Sequence, residues 1–311
     1  AGGGANSEGT TLTKSRASIE KSKVRIASDL SVQARDLSII TTVVETTSVS
    51  IGIGFASAGA VSKAFITPTV EAELVGSAVD VGGSVVIAAD SKAWGDVLTE
   101  GNSFGLFAGA GSVGSAEINP TVRAKVTDGR LASRDGKIDI TATYNTVVNE
   151  SNAFVAATTN SLPVGSRPDD ETNLGAQSVA EAASGGLAAG SGGDATVKHY
   201  GQITASAGGT LSAGQDIQVT AVSHAFPTAV ATGMAGGGVG VGTSFADADS
   251  QTATSAALLG NVELAKKVLI TSLSIESPST RTTALSGGLI AGNGSESQAE
   301  VLAPDSVDAG V

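Results

Sequence analysis

Two stretches of this chain are near copies of each other, 52 residues apart. FASAGAVSKAFITPTVEAEL occupies 55–74 and FAGAGSVGSAEINPTVRAKV occupies 107–126, and they agree at 11 of 20 positions. A chain that repeats at a fixed period builds one structural unit over and over, so the period outranks any local propensity. Two landmarks carry the repeat further. Gly59, Gly111, Gly190, Gly242 and Gly292 are spaced by 52, 79, 52 and 50 residues. The runs VVIAAD (85–90), IDITAT (138–143), IQVTAV (217–222) and VLITSL (268–273) place Ile87, Ile140, Val219 and Ile270 at intervals of 53, 79 and 51. Both markers show the same long interval, so one unit carries 27 extra residues (79 against 52).

Within a unit the side-chain period is two. Val85, Ile87, Ala89, Ser91, Ala93, Gly95 and Val97 share one face, while Val86, Ala88, Asp90, Lys92, Trp94 and Asp96 share the other. That is strand alternation with the charges on one side. Helix is the competing assignment for alanine-rich sequence. It fails here because glycine recurs every few residues, each costing about 1 kcal/mol inside a helix. The core must also be built from small side chains, because only 3% of residues are aromatic and 41 are glycine. The sequence therefore predicts an all-β, parallel β-solenoid (β-helix) with repeats of about 52 residues and a thin core of Ala, Gly, Ser, Val and Ile. One coil is either the full period or half of it. Pro68 and Pro120 recur in ITPTV and INPTV and are expected at a corner between strands, since proline cannot donate to a ladder. Residues 1–311 form a single repeat region, broken by an irregular insertion at about 158–183. That insertion is expected to leave the body as a loop, with a short helical turn in AQSVAEAA (176–183). Neither end carries a polar cap, so copies of the chain, or further repeats of the same polypeptide, are expected to stack on it.

The chemistry is sparse. There is no cysteine, which excludes disulfides, thiolate metal sites and thiol nucleophiles. A net charge of −12 argues against nucleic acid as a partner. No 18-residue apolar span is present, so no membrane insertion is expected. No GxSxG elbow, GxxxxGK[ST] loop or strand-bound GxGxxG occurs. GGGVGVG (236–242) lacks the lysine of a phosphate loop. His199 and His224 are expected singly, at the surface or at corners. Asp247 and Asp249 are two apart and share a strand face, which makes them the candidate Ca²⁺ ligands. Asp169, Asp170 and Glu171 in the insertion are the candidate binding residues. Asp90 and Asp139 are the carboxylates to test for glycan cleavage. No cofactor is expected.

The strings SGGLAAGSGGDATV and SGGLIAGNGSESQAEV, with the IDITATYNTVV strand, resemble repeats of very large bacterial surface proteins. These are the filamentous haemagglutinin-like or leukotoxin-like adhesins, the β-strand repeat exoproteins. The resemblance covers most of the chain outside about 160–180. It implies an exported stalk or fibre at the cell surface, with no catalytic residues to carry over and with host or environmental glycans as further partners. The chain departs from that pattern in its proline-containing insertion and in having no recognisable secretion domain. Three functions stay open: a structural or adhesive stalk, a carbohydrate-binding or -cleaving solenoid, and a self-assembling filament subunit.

Overall fold

The computed structural model describes residues 1–148, 154–155, 175–302 and 307–310. It is an all-β parallel solenoid, with no helix among the described residues. Each coil has two long faces and one short corner strand. In the second coil these are Phe55–Val75, Ala78–Val81 and Val85–Phe104. The first faces and second faces belong to one 14-stranded sheet, because Ala176–Ala207 and Pro227–Leu258 run through the edge where the two faces meet. The corner strands form a separate five-stranded sheet. Phe55 pairs with Phe107, 52 residues on, and Ala176 with Pro227, 51 residues on. Ile87, Ile140, Val219 and Ile270 stand in one column. The turn from first face to corner needs positive φ, and the equivalent residues Lys21, Gly76 and Asp128 all adopt it (46°, 55° and 48°).

The cross-section is a wedge. Near the corner the core is filled by large side chains: Leu74, Val81, Val85, Ile87, Leu131, Ile138 and Ile140 are all fully buried. Toward the opposite edge it narrows to Ala56, Ala58, Ala60, Ser62, Ser103 and Ser112. There the two backbones meet with no side chain between them. A Cβ built on Gly101 would lie 2.6 Å from the Gly111 carbonyl oxygen, and one on Gly233 would overlap the Thr243 carbonyl oxygen. The small-residue composition is therefore a requirement of the thin edge rather than of the whole core.

Parallel stacking puts equivalent residues on top of one another. Ala72, Ala124, Ala205 and Ala256 make one fully buried column. Replacing Ala124 with Leu is expected to lower stability by about 1–3 kcal/mol through overpacking. The same change at outward-facing Ser115 should be nearly silent. Urea midpoints of the two variants check this, and equal shifts would contradict the facing. Charged columns on the outside alternate in sign where they pair. Glu71 lies between Arg16 and Arg123, at 4.0 and 3.6 Å. Asp80 lies between Arg25 and Arg134, at 3.5 and 2.7 Å. The Arg134 hydrogen bond holds the Asp80 carboxyl below its ordinary range. The arginines are exposed and the carboxylates half-buried, and solvent screening keeps the contribution of each pair small.

Three expectations need correction. AQSVAEAA (176–183) is strand, because it stacks between 95–102 and 227–234 and the ladder overrides alanine's helix preference. Pro68 lies inside a first-face strand and Pro120 in line between 107–118 and 121–127, not at a corner. Both prolines are buried in the core, and Gly201 in the next coil leaves room for the Pro120 ring, which would sit 3.1 Å from a Cβ there. The glycine landmark also slips. Gly59 pairs with Gly111, but Gly111 pairs with Gly192, so Gly190 is two residues out of column.

Candidate functional site

The long interval falls between Tyr144, which pairs with Ser91, and Ala176, which pairs with Gly95. The chain leaves the ladder at Asn145, whose φ of 50° is one that asparagine tolerates. Its side-chain amide takes the place of the missing strand backbone. Ala93 N–H donates to Asn145 Oδ1 at 2.9 Å, and Asn145 Nδ2 donates to the Ala93 carbonyl at 3.4 Å. The ladder resumes where Gly95 N–H donates to the Gly175 carbonyl at 3.0 Å. Asp169, Asp170 and Glu171 lie outside the described residues.

Outward side chains are exposed or half-buried over most of the solenoid, but not around this break. Trp94, Asp96, Gln177, His224 and Phe226 all face outward on the second face, and all are at most 9% exposed. The His224 and Phe226 rings lie 6.1 Å apart. Burial lowers the His224 pKa, opposed by a hydrogen bond with the Asn145 backbone. Side chains this covered offer no open face for a ligand to stack on. Alternation placed Trp94 and Asp96 on one face in the sequence. What it could not supply was the pairing that brings 177, 224 and 226 beside them.

His199 is also buried, contrary to the surface or corner position expected of both histidines. It sits in the core column of Ile66 and Ile118. Its Nε2 is 2.9 Å from the Tyr144 hydroxyl and its Nδ1 is 3.4 Å from Thr252 Oγ1. Thr252 N–H donates to Glu276 Oε1 at 3.0 Å, and Ser274 Oγ donates to the same oxygen at 3.1 Å. Ser223 then links Ser274 and Thr254 at 3.0 and 2.7 Å. A polar chain thus runs along the solenoid axis inside the core. Burial drives the His199 pKa down to about 4 and the Tyr144 pKa up, so both are neutral at pH 7. Among the described residues the hydroxyls at His199 are those of Tyr144 and Thr252, both fully buried.

The remaining candidate carboxylates are dispersed. Asp90 accepts from the Thr143 hydroxyl at 2.8 Å, and Asp139 is ion-paired to Lys137 at 2.6 Å. Asp139 is level with Val86, four residues along from Asp90, so the two do not form a facing pair. Asp247 and Asp249 do share an outer face. Lys198 stands in register with Asp249, and burial followed by the Asp249 charge raises the Asp247 pKa. Among the described residues no group of three His, Asp or Glu side chains is placed to hold a metal ion. The same residues include no helix able to cross a membrane.

One acidic feature was not read from the sequence. Glu45, Glu100 and Glu181 are in register on successive coils, stacking like charges. Burial, then the charges of Glu45 and Glu181, raise the Glu100 pKa. A raised carboxyl pKa favours the fold below the unfolded pKa and loses that benefit as pH rises through the folded value. Glu100→Gln is therefore expected to raise the melting temperature at pH 7 and to lose its advantage below about pH 4. Melting curves at the two pH values check this. Comparison with protein-family models, with curated proteins and with solved structures finds no match.

Proposed function

We propose that this chain is a length of structural or adhesive stalk in an exported bacterial cell-surface or extracellular fibre, without catalysis of its own. The observation that carries the proposal is the parallel ladder, which stacks Ile87, Ile140, Val219 and Ile270 in one column as a rod does. Val268 occupies the column of Val85, Ile138 and Ile217, which are fully buried, yet it is 39% exposed. Leu264, Leu273 and Ile290 on the same rung are also exposed. A hollow of about 460 Å³ opens there, lined by Leu258, Val262, Val268 and Ile270 among others. The partner on this rung is further repeat, supplied by the same polypeptide or by another copy. Glycans are the external partner class.

Immunogold labelling of intact, unpermeabilised cells of the source organism tests the location. Surface label is the expected result, and label confined to the cytoplasm would overturn it.

A further inference from the structure

At the thin edge the chain turns from each second face into the next first face, and these turns carry no charge. No Asp, Glu, Lys or Arg lies between Glu45 and Lys63, Glu100 and Glu117, Glu181 and Asp194, Asp216 and Asp247, or Arg281 and Glu296. The corner strands on the opposite side carry Lys23, Arg25, Asp80, Arg130 and Glu263. The cross-section is therefore amphipathic, in the sense familiar from helices that lie on a membrane. The tips of the turns are apolar and bare. Leu106, Leu187 and Leu289 fall at one turn position, and the last two are 59% and 96% exposed. The first turn is longer than the second: five residues separate Val49 from Phe55, against two between their register partners Phe104 and Phe107. The extra length holds Ile51 and Ile53, 97% and 95% exposed. Phe55 follows them, its ring stacked on that of Phe107 at 5.0 Å. Isoleucines this bare contribute nothing to the core of their own chain.

We propose that the thin edge lies in the surface of a zwitterionic lipid bilayer, with the rod axis in the membrane plane and the charged corner in water. The proposal goes beyond the stalk reading and does not depend on it. Its first support is depth. The nearest charges stand six residues back from the tips, Glu45 from Ile51 and Glu181 from Leu187, which is roughly 20 Å of strand. An interfacial element sinks about 5–10 Å, so the tips reach the acyl boundary before any charge leaves water. Its second support is the backbone. Each peptide group in lipid needs a partner, and the ladder supplies partners along the axis. Ser50 N–H donates to the Phe104 carbonyl at 2.9 Å, Gly105 N–H to the Gly185 carbonyl at 3.0 Å and Ala188 N–H to the Leu106 carbonyl at 3.1 Å. Its third support is shape, which decides against a second copy. The edge is a convex ridge about 10 Å wide and roughly 30 Å long, a footprint of about 300 Å². Two such ridges bury about 600 Å², well under the roughly 1,000 Å² of a specific protein interface, whereas lipid closes round a ridge. Copies carrying −12 each also repel, and a bilayer without net charge does not. Contact with one leaflet requires no membrane-spanning segment.

Co-sedimentation of the full chain with phosphatidylcholine vesicles tests it. The chain is expected to pellet with the vesicles, to an extent unchanged by added salt. Ile51→Lys combined with Ile53→Lys should weaken the partition at least about tenfold, since burying one exposed isoleucine is by itself worth about that factor. Circular dichroism and melting temperature should stay unchanged, because both side chains stand in solvent. The chain has no cysteine, so Ile53→Cys and Arg25→Cys can each carry a single environment-sensitive fluorophore. Vesicles should shift the emission of the label at 53 to the blue and leave the label at 25 unchanged. A chain that stays in the supernatant, a partition indifferent to the lysine pair, or equal shifts at 53 and 25 would each overturn the proposal. So would a lipid-free oligomer dissolved by the lysine pair, which would make a second copy the occupant.

Discussion

Gly233→Ala is expected to destabilise the fold by about 3 kcal/mol, the upper end of ordinary overpacking, while Gly111→Ala stabilises it by about 0.5–1 kcal/mol. The substitutions are chemically identical and lie in the same thin edge. The difference is direction. Gly233 faces inward, and its added methyl group would occupy the position of the Thr243 carbonyl oxygen on the facing backbone. Backbone cannot swing away as a flexible side chain can, so the two faces must part and expose the serine and alanine columns around them. Gly111 faces outward into open space and gains only the lower chain entropy of alanine. Urea midpoints measured where the chain is monomeric decide the matter. Equal shifts at the two sites would remove the wedge.

The second large effect is on acid stability. His199 is fully buried and neutral, with its pKa lowered from 6.5 to about 4. The unfolded chain binds the proton near pH 6.5 and the native chain only near 4, so acid favours unfolding across that window. The expected loss is about 3 kcal/mol between pH 6.5 and pH 4. Glu100, Asp194 and Asp247 have raised pKa values and act in the opposite sense, favouring the fold as pH falls. The histidine contribution is therefore read as a difference between two proteins. His199→Ile continues the Ile66–Ile118 column, and Tyr144→Phe removes the hydroxyl that would otherwise be left buried without its partner. Relative to this double variant, the parent should lose stability steadily from pH 6.5 to pH 4. A pH-independent difference would show that His199 is not the buried neutral group described.

Much of the architecture was legible because a parallel ladder copies sequence into space. The β-branched landmark aligned Ile87, Ile140, Val219 and Ile270 correctly, since a core column near the corner admits only large aliphatic side chains. The glycine landmark failed at Gly190 because glycine serves two purposes in neighbouring columns. Inward glycines make way for facing backbone and outward ones leave a bare surface, and the letters look the same. AQSVAEAA misled for a related reason. Alanine is a helix former in isolation, and only its register with Gly101–Asn102 and Gly233–Met234 makes it strand. The histidines were unreadable one at a time, because the partners of His199 come from 55 residues before it and 53 after. The Trp94–Gln177–His224–Phe226 patch was hidden likewise. It exists only where the ladder breaks at Asn145 and resumes at Gly175.

We propose that the chain works as a length of rod. Electron micrographs of native material, taken together with the intact mass of the polypeptide, test this most directly. Thin rods that run on well beyond the roughly 30 Å spanned by six rungs at about 4.8 Å each are expected. Compact particles of a single 30.3 kDa chain, with other structure folded over both terminal rungs, would contradict it.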